Sequence, residues 1–187
     1  KASDVAKKLL QILPDNPKRK MIDLGAGPGI YSTEFINRGI AQNSICVDLE
    51  YVVKKYKNVD YNGVSWKKLD LINNEIKTGE KYGLILIGNI FHHYDKKQIE
   101  NILMNTTNIY ENGAFLVIQD YFVSPQPALS PVYAAILGIH FALTTQGGRC
   151  YSIKEIVSMV ENKLEFMNFY DFINVGQTDL LIFKGNG

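Results

Sequence analysis

Cysteine is scarce in this chain. Cys46 sits inside the apolar segment Ile45-Cys46-Val47 and Cys150 in a distant glycine-flanked loop, so neither a disulfide framework nor a zinc site is expected. An excess of one charge is missing too. Twenty basic against 19 acidic residues leave a formal net charge of +1. The lysines come in scattered pairs, such as Lys7-Lys8, Lys54-Lys55 and Lys96-Lys97, which read as solvated helix faces and not as a nucleic-acid footprint. The longest apolar runs, such as 84–87 and 134–137, fall well short of the ~20 residues of a membrane span, and no charged-then-apolar leader opens the chain. A soluble, cytoplasmic protein with no membrane or nucleic-acid partner is expected. Repeats and low-complexity tracts are also absent. What remains is 187 residues, 46% hydrophobic and 21% charged, enough for one domain with a sizeable core.

The most informative stretch is residues 20–29, Lys-Met-Ile-Asp-Leu-Gly-Ala-Gly-Pro-Gly. A short apolar strand runs through Asp23 into a glycine turn. Gly25 and Gly27 let the backbone turn sharply and approach a ligand, and Gly29 opens a helical pattern running through Phe35 and Ile36 to Gly39. A dinucleotide fingerprint needs Gly or Ala one place later, so that helix and strand close around a pyrophosphate. Residue 30 is Ile. A nucleoside without a pyrophosphate is therefore favoured over a nicotinamide dinucleotide. The next strand ends at Asp48, 19 residues past Gly29, close to the ~20 at which an acid takes a ribose hydroxyl. A third strand-end acid, Asp70, is placed to meet an adenine edge. The alternative for Asp48 and Asp70 is that they cap the helices that follow.

Strands and helices alternate along the chain, the pattern of a Rossmann-like, doubly wound, mostly parallel α/β sheet. Strands are predicted near 20–24, 44–48, 64–69, 82–88 and 114–120, and helices near 3–13, 29–38, 50–56 and 96–110. Residues 82–87 are apolar without alternation, as in a central parallel strand covered on both faces. Pro125, Pro127 and Pro131 predict a stiff loop before an apolar helix from about 131 to 144, with another helix at 152–162. Two final strand patterns, 166–173 and 180–183, flank Gly176 and suit an antiparallel pair.

These motifs resemble those of class I S-adenosylmethionine-dependent methyltransferases, through DLGAGPG at 23–29, VDLE at 47–50 and LD at 69–70. Downstream, GNIFHHYD at 88–95, LVIQDYF at 116–122 and GGRCYS at 147–152 resemble the catalytic domain of small-molecule O-methyltransferases of the plant caffeic-acid type and their bacterial relatives. The resemblance covers nearly the whole chain. It implies a seven-stranded sheet with an antiparallel C-terminal hairpin edge and S-adenosylmethionine as cofactor. It also implies a binding set of Asp23, Gly25, Gly27, Gly29, Asp48, Leu49, Asp70, Leu71, Gly88 and Asn89. The family usually carries an N-terminal helical domain that mediates homodimerisation and helps close the pocket. This chain opens on Lys1 inside a helix that leads straight into the first strand, so a catalytic domain without it is expected, either a fragment or a chain that never had it.

Methyl transfer from a sulfonium needs alignment and a ready nucleophile. His92 stands at the end of the fourth strand and matches the family's general-base histidine, although His93 and Tyr94 replace the Asp and Trp that follow it there. Asp120 matches a glutamate that orients that histidine. A second such glutamate falls at Cys150, where the sequence departs. Asp95, with Gln98 three residues on, reads as a helix cap. Adjacent histidines on an extended segment point opposite ways, so no metal site is expected. Tyr133, Ile136, Ile139, His140 and Leu143 recur at helical spacing and read either as core or, by the resemblance, as a wall of an aromatic or apolar acceptor pocket. No proline follows Gly88-Asn89-Ile90-Phe91, which argues against amide or nucleobase methylation. The expected function is O-methylation of a small molecule; the alternatives are a cofactor-binding or scaffolding subunit without turnover, or methyl transfer to another acceptor atom.

Overall fold

The computed structural model describes residues 1–123, 132–175 and 178–186; Pro125, Pro127, Pro131 and Gly176 lie outside them. Five strands, β1 (Lys20–Leu24), β2 (Asn43–Asp48), β3 (Val64–Lys68), β4 (Tyr82–Gly88) and β5 (Tyr110–Asp120), pair in parallel in the order β3-β2-β1-β4-β5. Two short strands, β6 (Phe122–Val123) and β7 (Tyr151–Ser152), pair in parallel as a separate ribbon. The last two, β8 (Met167–Val175) and β9 (Thr178–Gly185), close the sheet as an antiparallel edge, with β9 against β5. The sheet is therefore seven-stranded, mainly parallel and doubly wound, as expected.

The helices are α1 (Ala2–Ile12), α2 (Ile30–Asn37), α3 (Glu50–Tyr56), α4 (Lys96–Asn105), α5 (Val132–Thr144) and α6 (Ile153–Lys163). Successive residues of β4 serve opposite faces. Leu84 and Leu86 pack with Met21 and Val117 beneath Val5 and Leu9 of α1 and Phe35 of α2. Ile85 and Ile87 pack with Ile22 and Leu116 beneath Ile99, Ile102 and Leu103 of α4 and Ile156 and Val160 of α6. Both faces are covered, and this is why the strand carries no polar alternation.

Three expectations need correction. Helix α4 stops at Asn105, not near 110, and β5 begins at Tyr110, not 114. The hydroxyls of Thr106 and Thr107 donate back to the carbonyls of Leu103 and Met104, a competing local bond that ends the helix. The ribbon of β6 and β7 was not foreseen, since two residues carry no readable period. The core reading of the α5 stripe is overturned. Ala134 and Phe141 are the buried residues of that helix, whereas Val132, Ile136, Ile139 and Leu143 are 61–81% exposed. No helix among the described residues is long and apolar enough to cross a membrane.

Candidate active site

Chain order along the sheet reverses between β1 and β4, so the loops leaving their carboxyl ends diverge and leave a crevice. The glycine turn occupies one side of it. Gly25 donates to the Val47 carbonyl at 2.8 Å, which ties the turn to the end of β2. Gly25, Gly27 and Gly29 all have positive φ, but for different reasons. A Cβ on Gly25 would fall 2.7 Å from the Ile90 side chain, and one on Gly29 would press 3.2 Å against the Trp66 ring; at Gly27 nothing lies within 4 Å. Gly27 thus keeps ligand space open, whereas Gly29, absent from the cavity lining, is needed for packing.

Two cavities meet at Gly25, which lines both. The larger, about 470 Å³, is bounded by Asp23, Gly27, Tyr31, Gly88 and Asn89. The smaller, about 220 Å³, has walls from Leu49, Val52, Leu69, Leu71, Ile90 and Tyr94, with Asp48 among them. Asp48 does not cap α3. One of its carboxylate oxygens accepts from the Gly27 amide and the other from the Leu49 amide, each at 2.7 Å. Asp70 is not brought to either cavity. It accepts from the Ile72 amide and from the Asn73 side chain; no helix lies between β3 and β4, so it closes a local turn and is not the helix cap of the alternative reading either.

Asp23 is buried, and its carboxylate accepts from the Ser32 hydroxyl at 2.9 Å. Burial pushes its pKa up to about 7, helped by the nearby Asp48 charge and opposed by Ser32. Asn89 holds a left-handed φ of 56°, and its amide donates to the Gln119 carbonyl at 2.7 Å. The side-chain oxygens of both Asn89 and Gln119 are buried without a hydrogen-bond donor.

Next to this crevice stands the His92–Asp120 pair. Residues 91–93 form a 3₁₀ turn at the end of β4, and Asp120 ends the adjacent β5. Asp120 accepts from the His92 backbone amide at 3.3 Å, and its other oxygen lies 2.5 Å from His92 Nδ1. A carboxylate there holds the proton on Nδ1 and leaves Nε2 as the acceptor. Phe141 of α5 stacks on the imidazole at 4.0 Å and 22°, and Tyr121 meets it edge-on at 5.7 Å. The two histidines do not diverge, contrary to expectation. On a 3₁₀ turn their rings lie 4.2 Å apart, and burial, with His92 adding, lowers the His93 pKa. No cluster of three or more His, Cys, Asp or Glu that could hold a metal occurs among the described residues. Cys150 is buried near Asp120, and burial together with that charge raises its thiol pKa to about 12. It is a neutral neighbour, with no carboxylate's role. Asp95 and Gln98 form the expected reciprocal cap of α4.

Sequence reasoning missed Tyr31, Tyr51, Val52, Leu69, Ile90, His93 and Tyr94 as cavity residues, and Gln119 beside them. Gln119 carried a signal, being an amide directly after the apolar run 114–118 of β5; Tyr31 carried none.

No protein-family model matches the chain, and neither does any curated protein sequence. Solved structures do match it. PigF, solved with S-adenosylhomocysteine, superimposes with a TM-score of 0.82 at 16% identity, over 100% of this chain and 55% of that one. An O-methyltransferase family 2 protein from Planctomyces limnophilus, in complex with apigenin, gives 0.79 at 19% identity over 96% and 56%. Human N-acetylserotonin methyltransferase, in complex with S-adenosylmethionine, gives 0.79 at 13% identity over 97% and 52%. The fold is thus that of class I methyltransferases. The chain spans a little over half the length of these structures.

Proposed function

We propose that this chain is a catalytic domain that transfers the methyl group of S-adenosylmethionine to a hydroxyl of a small, aromatic or apolar molecule. The observation that carries this reading is the buried His92–Asp120 pair beside the glycine-turn crevice. The relatives with S-adenosylmethionine, S-adenosylhomocysteine and apigenin support it. The crevice suits the cofactor. One lobe has Leu49, Leu69, Leu71 and Ile90 in its walls, with Asp48 among them for a ribose; the other is open at Gly27, with Asp23 and Asn89 in its lining. When bound, S-adenosylmethionine supplies an electrophilic methyl group on a sulfonium.

The chain's own residues ready the acceptor. A phenol with a pKa of ~10 is about one part in a thousand ionised at neutral pH. Nε2 of His92 takes its proton, a contribution on the order of 10² to 10⁴ in rate. Asp120 keeps Nδ1 protonated and balances the imidazolium that forms. Phe141, Tyr121 and His93 around the imidazole favour a planar acceptor. A second reading, a cofactor-binding subunit without turnover, is favoured by the neutral Cys150 where a carboxylate is expected.

The test is methyl transfer to a panel of hydroxylated aromatics, with calorimetry of S-adenosylhomocysteine beside it. His92→Ala is expected to lower the rate by about 10² or more while cofactor affinity holds, because the base acts on the acceptor. High pH should partly rescue the variant, since an ionised hydroxyl needs no base. Asp120→Asn should cost less. Near-wild-type turnover in His92→Ala would remove the histidine from the mechanism. Cofactor binding with no turnover on any acceptor would favour the second reading.

A further inference from the structure

Tyr151 lines neither cavity, yet it bonds to the histidine turn. It is 2% exposed on β7, where its ring packs in the core beneath α4 and α6, and its hydroxyl donates to the Tyr94 carbonyl at 2.7 Å. Tyr94 ends the 3₁₀ turn that carries His92: its amide donates to the Phe91 carbonyl at 3.1 Å, and its side chain lines the smaller cavity. In the short ribbon Tyr151 pairs with Phe122, two residues past Asp120. The strand end with Asp120 and the turn with His92 are therefore joined twice, once by their own hydrogen bonds and once through the ribbon and the Tyr151 phenol. One face of the phenol ring is covered as well. The Arg149 guanidinium carbon stands 4.1 Å from the ring centroid. Glu155 holds that guanidinium at 2.6 Å and accepts from the Ser152 amide at 2.8 Å as part of the cap of α6.

Both bonds from His92 to Asp120 go to one carboxylate, so the turn can pivot about that group, and Nε2, across the ring from Nδ1, moves most. A hydrogen bond to Tyr94, two residues on, removes the pivot. A phenyl ring would fill the same space in the core; the hydroxyl is what the turn uses. Resting on the base role given to His92 above, we propose that Tyr151 is a positioning residue for methyl transfer, its phenol holding the end of the histidine turn so that Nε2 meets the acceptor hydroxyl.

The experiment uses Tyr151→Phe, which keeps the ring and deletes the hydroxyl, with thermal melting to establish that the variant is folded. In the free protein, amide hydrogen exchange at residues 92–94 should speed up by about fivefold, as for the loss of one hydrogen bond, while the amides of β4 exchange as in wild type. With cofactor and a hydroxylated aromatic acceptor, kcat should fall by about tenfold, less than for His92→Ala, because the base is displaced and not removed. In a His92→Ala background the same substitution should change the rate by less than about twofold, since no base is left to position. Arg149→Met uncovers the phenol from the surface and should speed exchange of the same amides by about twofold; it carries the same outcomes if the core does not accept phenylalanine. Unchanged exchange at the turn, or an unchanged kcat, would overturn the proposal. Faster exchange throughout β4 would overturn it in favour of general destabilisation, and an equal rate loss in both backgrounds in favour of a packing role. No turnover by wild type, or wild-type turnover in His92→Ala, would instead sink the base reading, and the proposal with it.

Discussion

Asp23 is a carboxyl whose protonation the fold perturbs where a ligand would sit. Its pKa rises from 3.8 to about 7, chiefly through burial. The folded state therefore holds a proton that the unfolded state has lost between those values, and stability falls as pH rises from about 4 to about 7. Asp23→Asn should melt higher than wild type at pH 8 and the same at pH 4, which differential scanning calorimetry reads. A cationic ligand favours the ionised carboxyl. Affinity for S-adenosylmethionine, whose sulfonium makes it a net cation, should therefore fall as pH drops below about 7, with a proton released on binding near pH 6, seen as a buffer-dependent heat; Asp23→Asn should abolish that dependence. Gly27 makes a separate prediction. Its φ of 54° strains a β-branched residue, and its Cβ direction is open. Gly27→Val should lose cofactor binding and keep its far-ultraviolet circular dichroism, and unchanged affinity would show that the ligand does not approach this turn.

At the scale of elements, the histidine turn is held from outside by the loop between α5 and β7. Gly147 has a φ of 91° and approaches Asp95, the cap of α4, where an added Cβ would lie 3.0 Å from Asp95 Cβ. Gly148 is closer still. A Cβ there would fall on the His92 carbonyl oxygen and 2.8 Å from the His93 carbonyl carbon. These neighbours are backbone and cannot rotate aside. Gly148→Ala must push the 3₁₀ turn away from the loop, at about 1–3 kcal/mol, or roughly 2–10 °C in melting temperature for a chain of this size. On the role proposed for His92, the methylation rate should fall by about tenfold or more while S-adenosylhomocysteine affinity holds, since displacing such a base by about 1 Å is costly. A wild-type rate in this variant would mean that the turn tolerates the displacement.

For the whole molecule, the sheet carries two separate cores, one under α1 and α2 and one under α4 and α6. Leu86, fully buried on the first face at the centre of β4, is flanked by β1 and β5. Leu86→Ala should cost about 2–5 kcal/mol, measured by denaturant unfolding. The crevice rests on the same strand, so S-adenosylhomocysteine should raise the melting temperatures of the variant and of wild type alike.

Element identity was legible locally. The parallel strands, the glycine turn, the cap at Asp95 and the two strand-end acids were readable because periodicity, glycine and capping residues act within a few positions of themselves. Candidate cavity residues such as Asp23 and Gly27 came from the same local rules, whereas Asn89 came from the resemblance alone. Pairing across the chain was not legible in any local pattern. The meeting of His92 with Asp120, 28 residues apart, was expected only through the resemblance, and that of Gln119 with Thr178, 59 apart, was not expected; both contacts exist because β4, β5 and β9 are neighbours in the sheet. The buried face of α5 was equally hidden, since a helix apolar on every side has no period from which to choose. Asp70 lies two residues past the end of β3, whereas Asp48 is the last residue of β2, and it closes its own turn through an Asx-type bond from Ile72. The sequence by itself determined which elements form and where the glycine crevice opens. Only the tertiary structure decided which side chains meet there, because strand neighbours and helix faces are settled by packing over the whole chain.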